Sequence, residues 1–417
     1  MGPMMSSIIA KRLVFHIGGY DASMPPEAVH RRFVRELRRF EGTWSAKASV
    51  SEPKLSDDQV AWRVIATGPN WRVETDYRFV RWDDIINADA ARPMWRRVAL
   101  GILAFFDFVV AGALWGYLRT NWRYALFFLY PFLVLAAFIA IAWFFGDLAA
   151  RASRSLLIGA AASSLALIAL LHWPLRWMYL PELLDDWIFS SEYIRHTDPV
   201  LEPRLDRIAH QIHTATRRSD TDEVLVVGHS LGAVLAVDLL DRVLKLDAAR
   251  GLKDSRLAFA SVGSSILKIA LHWGAKRFRA ALKRVGSARA IYWAEYQALV
   301  DVMNFCKTDA LAEIGLKGIG RPVVRIVRIR DMVSPDFYRR IRGNFYRVHA
   351  QFISGNDRRS FYDYFMMVCG PLALEALVTL PKGAGSAIDE HGILAREQRP
   401  LESPAQPTKD ESEPAAI

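Results

Sequence analysis

The sequence predicts an α/β fold: a mainly parallel sheet flanked by helices and interrupted by an inserted transmembrane helical segment. Three observations carry that expectation. Short β-branched runs alternate with amphipathic runs, as they do where helical crossovers join parallel strands. Three long apolar runs stand close together between residues 98 and 173. At 222–244, "DEVLVVGHSLGAVLAVDLLDRVL", a strand-like run passes through Gly-His-Ser-Leu-Gly directly into a run of helical period.

The first element, "KRLVFHIGG" (11–19), has the apolar content of a short buried strand. "PPEAVHRRFVRELRRFEG" (25–42) opens on proline and repeats its apolar residues at helical spacing. "DQVAWRVIA" (58–66) and "WRVETDYRFVRWDD" (71–84) read as strands separated by the turn residues Gly68, Pro69 and Asn70.

The apolar runs follow at 98–118, 124–145 and 155–173. Each has about 20 residues, enough for the roughly 30 Å hydrocarbon layer of a bilayer. If the flanking sequences belong to one folded unit, the number of crossings must be even. Asp107 lies at the middle of the first run, at a cost of roughly 2.5–3.5 kcal/mol on insertion scales. A hairpin of 124–145 and 155–173 is therefore expected, with 98–118 at the interface or packed on it. A hairpin of the first two runs is the alternative. Arg96, Arg97, Arg119, Arg123 and Arg176 flank the expected hairpin, against Arg151 and Arg154 in its loop. That bias places both ends in the cytoplasm, in a multi-pass arrangement of bacterial inner-membrane type. Trp143, Trp173, Trp177 and Tyr179 fall near the two interfaces.

"DPVLEPRLDRIAHQIHTATRR" (198–218) is a helix with Pro199 near its start. Next come a strand at 223–228, a helix at 231–246, and strands at 256–263, 288–296 and 322–330. A basic amphipathic stretch occupies 264–285, and a last helix covers about 359–379. From 381 the chain loses apolar periodicity and reads as a disordered tail. The organisation is thus 1–90 and 181–380 as two parts of one α/β unit, 91–180 as the membrane insertion and 381–417 as the tail.

Lys and Arg outnumber Asp and Glu by 54 to 44, a net charge of +10. The basic residues are scattered and not interleaved with aromatics, so nucleic acid is not expected as a partner. Beside apolar runs, such charge fits attraction to anionic membrane lipids. Cys306 and Cys369 have no metal-type spacing, which argues against both a zinc site and a disulfide framework. The opening residues do not have the layout of a secretory signal, and Pro3 speaks against myristoylation of Gly2.

The serine between two glycines raises the question of chemistry. In a strand–Gly-x-Ser-x-Gly–helix arrangement the serine occupies a strained tight turn. Gly228 and Gly232 make room for the neighbouring strand and helix, with His229 completing the elbow. The Ser230 hydroxyl is lifted clear at the helix N-terminus, where the Leu231 N–H meets developing negative charge.

With "VVGHSLG" in that context, the chain resembles the α/β-hydrolase superfamily, in particular its lipase and esterase members. The resemblance covers residues 8–90 and 196–379, with the membrane segment as an insertion. It implies a nucleophile, acid and base in the chain order Ser…Asp…His. Ser230 is the implied nucleophile. His349 is the implied base, the histidine between the last strand and the tail. His210 and His213 precede the nucleophile, His172 lies in the apolar block, and His272 precedes the acid candidates. Asp301, after the strand 288–296, falls where the family places its acid. Asp331 sits in a loop of the Asp-x-Val-Pro kind but one strand late, and Asp309 reads as a helix N-cap. "FHIGGYDA" resembles a shortened form of the HGGG loops of lipases, interrupted by Ile17. It offers the amides of Gly18, Gly19 or Tyr20 as second oxyanion donor beside Leu231.

What the resemblance implies is a membrane-anchored serine hydrolase acting on carboxylic esters, with a lipid ester suggested by the membrane segment and no metal or organic cofactor. A catalytically silent scaffold and an acyltransferase with the same nucleophile are the alternatives. Paired charges that would mark a transport pathway are missing from the spans. No pattern in the chain speaks to oligomeric state.

Overall fold

The computed structural model describes residues 8–21, 25–172, 178–195, 198–247, 256–319 and 321–395. At its centre lies one twisted sheet. The strands are β1 (Lys11–Ile17), β2 (Lys47–Val50), β3 (Lys54–Leu55), β4 (Gln59–Thr67), β5 (Arg72–Val80), β6 (Glu223–His229), β7 (Leu257–Val262), β8 (Ile291–Ala298) and β9 (Val323–Val327). Their order is β2-β4-β5-β1-β6-β7-β8-β9, with β3 paired to β4. From β5 to β9 all neighbours are parallel, while β2, β3 and β5 pair antiparallel with β4. The register sets Ile17 opposite Gly228, His229 opposite Val262, and Val262 opposite Tyr296. The chain therefore leaves β1, β6, β7 and β8 along one carboxyl edge, where open α/β sheets form their crevice.

Period-two alternation decides which side chains face which layer. On β1, Leu13, Phe15 and Ile17 join a core with Val226, Phe259 and Trp293, and Val14 joins the opposite core with Leu225, Val227 and Tyr296. The second core is covered by α1 (Pro26–Trp44), whose stripe Val29, Phe33, Leu37, Phe40 and Trp44 is buried. After β5 come α2 (Asp83–Ala90), α3 (Met94–Val110), α4 (Ala113–Thr120), α5 (Trp122–Ser153), α6 (Leu156–His172) and α7 (Leu180–Arg195). Then α8 (Leu201–Thr216) and α9 (Gly232–Leu246) pack together on the first core.

Several expectations are corrected. The run 98–118 is two helices, bent by 68° where Gly112 takes a φ of 73°. Asp107 on α3 forms an ion pair with Arg195 and accepts a hydrogen bond from Ser191 Oγ, so its charge is compensated by protein. Phe108, Ala113 and Tyr117 lock this bent pair into the first core. The basic stretch 264–285 is also two helices, α10 (Ile266–Ala270) and α11 (Lys276–Ser287), and Lys268 is fully buried against Asp186 (2.6 Å). The last strand stops at Val327, and the chain turns into a short helix at Ile329–Met332.

Past α12 (Phe345–Ala350), the expected helix at 359–379 is split into α13 (Tyr364–Cys369) and α14 (Leu374–Thr379). Pro371 has no N–H to continue the ladder across that gap. The stretch 381–395 is ordered where a disordered tail is expected. Ala384, Ala387, Ile388 and Leu394 are buried in the second core, and Trp71 Nε1 donates to the Gly392 carbonyl at 2.9 Å. The rest of the expected tail, 396–417, lies outside the described residues, as do Trp173, Arg176 and Trp177.

α5 is long and apolar enough to cross a bilayer, and α3–α4 would be a second candidate only if the bent pair were a single broken span. α6 is apolar but, at 17 residues, shorter. It packs along α5 at Gly146 and Gly159, where an added Cβ would lie 2.8 Å from the carbonyl oxygen of the other glycine. Small residues here let the two backbones approach closely.

Candidate active site

Ser230 sits between β6 and α9 with φ 55°, an uncommon left-handed conformation for a residue with a side chain. Its N–H donates to Val262 O (3.2 Å), and its carbonyl accepts from Ser265 N (3.2 Å), which ties the turn to the end of β7. A Cβ on Gly228 would lie 2.5 Å from Ala233 Cα, and one on Gly232 would lie 2.2 Å from Ile17 O. The two glycines thus allow β6, α9 and β1 to meet around the serine.

The turn after β8 carries Asp301, cinched by Asn304 Nδ2 donating to Ala298 O (2.9 Å) and Asp301 O (2.8 Å). One carboxylate oxygen of Asp301 accepts from Met303 N at 2.9 Å, and the other lies 2.7 Å from His349 Nδ1. His349 stands on α12, whose N-cap Asn344 accepts from Arg347 N at 3.0 Å. The ring's Nε2 is buried and has no hydrogen-bond partner. Ser230 and His349 line the same cavity of about 340 Å³. With Asp301 as acceptor, the proton of a neutral ring belongs on Nδ1, and Nε2 presents its lone pair.

Gly18 and Gly19 lie on the other side of the serine. A Cβ on Gly19 would be 2.8 Å from Ser230 Cβ, and Gly18 O accepts from Trp82 Nε1 at 3.2 Å. Tyr20 also lines the cavity, with its hydroxyl bonded to Asp89 (3.0 Å). Leu231 is buried at the N-cap of α9.

The other acid candidates stand apart. The Asp331 side chain is 55% exposed beside Arg330 (3.6 Å), and Asp309 caps the helix Ala310–Glu313 through Leu311 N (2.9 Å). Among the other histidines, His213 pairs with Asp247 (3.2 Å) and His272 with Asp107 (3.3 Å).

Two buried histidines lie near the site, His229, which the sequence placed in the elbow, and His16, which the sequence did not single out. His229, the residue before the elbow serine, lies with its Nε2 3.3 Å from the His349 carbonyl, its ring centroid 4.6 Å from that of His349. Burial, reinforced by the Arg32 charge, holds its pKa well below the ordinary histidine value, so the ring is neutral. Its partner is a carbonyl, so this nitrogen carries the proton and steadies the backbone under the base. His16 on β1 is bonded to the hydroxyls of Tyr77 and Tyr364 (2.9 Å to the latter), and burial with the Arg32 charge lowers its pKa to about 3. The cavity wall also includes Arg32, Tyr179, Glu182 and Tyr346, from three separate stretches of chain whose meeting no local pattern announces. No group of three or more metal-ligating side chains occurs among the described residues.

No family model, curated protein or solved structure matches the chain. Fold and site define an α/β protein with a mostly parallel central sheet, carrying a serine on a strand–helix elbow.

Proposed function

We propose that this chain is a membrane-anchored serine hydrolase of the α/β-hydrolase type, cleaving carboxylic esters, lipid esters in particular. One observation carries the reading: a histidine fixed by a buried aspartate, its second nitrogen without a hydrogen-bond partner, lines the cavity that holds the elbow serine. The wall is largely apolar and aromatic, as an acyl chain requires, and α5 is long and apolar enough to bring the cavity to a bilayer.

In the proposed cycle His349 Nε2 takes the Ser230 proton as Oγ bonds to the ester carbonyl carbon. The Leu231 N–H and an amide of the Gly18–Gly19 loop receive the oxyanion. The alcohol leaves with the proton from His349. Water, deprotonated by the same ring, then attacks the acyl-serine and frees the acid. Asp301 holds the ring in one tautomer and stabilises its cation. His349 Nε2 accepts no hydrogen bond from Ser230 in the resting geometry, so the two groups close up when substrate binds.

The test is labelling of the full chain, in membranes, with a fluorophosphonate probe. Wild type labels, and Ser230→Ala and His349→Ala lose at least about 10³-fold in labelling rate. Unlabelled wild type would leave a silent scaffold as the better description.

A further inference from the structure

Four arginines that leave solvent elsewhere in this fold meet carboxylates, Arg12 with Glu223 (2.6 Å), Arg97 with Asp185, Arg204 with Asp84 (2.7 Å) and Arg242 with Asp206 (2.5 Å), whereas the half-buried Arg279 and Arg359 donate to backbone carbonyls. Arg32 belongs with the second group, but it stands in a cavity. It is half-buried on α1 and lines the cavity of Ser230 and His349, and no ion pair joins it to a carboxylate among the described residues. Its natural helical partner would be Glu36, one turn on. That carboxylate is instead engaged by Arg35 (3.0 Å), Arg39 (3.6 Å) and Gly355 N (3.2 Å).

The guanidinium is held in place nonetheless. Its Nη2 donates to Ala350 O (3.4 Å) and Ser354 Oγ (3.2 Å), at and just beyond the end of the helix that carries His349. Two acids on the cavity wall form no ion pair with it: Asp83, and Glu182, whose Oε2 is buried without a hydrogen-bond partner among the described residues. Asp83 is paired with Arg81 (3.0 Å), and the fields of Glu36 and Asp21 only partly offset desolvation, since burial still leaves Arg32 below its ordinary pKa. Holding an uncompensated cation in a partly dry cavity is unfavourable unless something anionic enters. Around it the wall offers Phe79, Trp82, Ile86, Met303 and Ile353, which suit a hydrocarbon chain.

We propose that Arg32 is a specificity-determining residue that receives the anionic group, phosphate or carboxylate, of an amphiphilic substrate bound in the Ser230 cavity. This rests on the hydrolase reading for the word substrate, but the anion site stands on its own geometry. Planar guanidinium donors match both oxyanions, and a hydrocarbon tail on the same molecule would fill the apolar wall.

The test uses the full chain in an uncharged detergent and reads protection of Ser230 from fluorophosphonate. The competitors are octyl phosphate, octanoate, octanol and inorganic phosphate. In wild type, octyl phosphate or octanoate protects at a concentration at least tenfold below octanol. The ratio is taken within each variant, so a change in labelling rate cancels. Arg32→Gln brings the ratio close to one and Arg32→Lys restores part of it. A merely structural arginine would change labelling in all arms alike and leave the ratio intact. That result, or equal protection in wild type, overturns the proposal. Inorganic phosphate protecting as well as octyl phosphate would assign the site to free phosphate and overturn the amphiphile. Should wild type fail to label, the hydrolase reading falls separately. Thermal stabilisation by octyl phosphate, present in wild type and lost in Arg32→Gln, then decides the anion site, and its absence sinks it.

Discussion

At the scale of single residues, the glycines around Ser230 are not interchangeable, because what their missing side chains would meet differs. A Cβ on Gly232 collides with two backbone oxygens, Ile17 O at 2.2 Å and Gly18 O at 2.4 Å, and relief means parting β1 from α9. A Cβ on Gly19 meets mainly the Ser230 side chain, at 2.8 Å. Gly232→Ala is therefore expected to lower stability by about 3 kcal/mol, at the upper end of overpacking costs. Gly19→Ala is expected to slow fluorophosphonate labelling at least tenfold while the melting temperature stays within a few degrees of wild type. Melting and labelling of the two variants in parallel separate these outcomes, and the reverse pattern would remove Gly19 from the substrate side of the elbow. The elbow was legible in the sequence because its glycines and serine are adjacent. The Asp301–His349 contact spans 48 residues, and sequence narrowed it only by placing strands, leaving Asp331 as a rival until the geometry set it in solvent. Arg32 gave no signal at all, since an arginine on an amphipathic helix ordinarily faces water.

At the scale of elements, β8 delivers the acid to the base, and its end is unusually polar for a buried strand. Gln297 Nε2 donates to Glu295 Oε1 (3.1 Å) and to Thr308 O (2.8 Å), closing the loop that contains Asp301. Burial raises the Glu295 pKa from 4.5 to about 8, so the folded chain keeps a proton there that the unfolded chain loses. Stability from this group is fully present below pH 4.5 and declines as pH rises toward 8, by up to about 1.4 kcal/mol per pH unit. Glu295→Gln removes that slope. The difference in melting temperature between wild type and variant should shift steadily toward the variant from pH 5 to pH 8, and a constant difference would show the carboxyl already ionised in the fold. β6 was readable because burial on both faces demands an unbroken apolar run, here residues 224–227. The helix breaks were not. The bend at Gly112 and the division of 264–285 depend on what each half packs against, and periodicity averages over such breaks, whereas the split at Pro371 has a local cause that the helical spacing overrode.

At the scale of the whole molecule, the insertion and the proposed catalytic centre form one structure. α12, which holds His349, rests on the insertion through Tyr179 and Tyr346 (ring centroids 4.5 Å apart) and through Phe127 and Phe345 (5.9 Å). Asn344 Nδ2 adds a hydrogen bond to Tyr179 Oη at 3.0 Å. The first turns of α5 are docked in the protein core at Tyr124, Ala125 and Phe128, while farther along Ile139, Trp143, Phe144 and Leu148 are exposed beside Leu165 and Ile168 of α6. Under the membrane anchoring proposed above, these exposed apolar side chains face the bilayer. The full chain should then stay with membranes through alkaline carbonate washing. Ile139→Asp with Ile168→Asp places two charges on the hairpin, at roughly 2.5–3.5 kcal/mol each on insertion scales, and should release most of the protein from the carbonate-resistant fraction. Because Phe127, Tyr130 and Tyr179 lie on the docked side of the insertion, Ser230 in the released protein should still accept the fluorophosphonate. Wild type extracted by carbonate would reassign the exposed face to another protein surface; labelling lost together with membrane attachment would mean that the bilayer itself holds α12 in place.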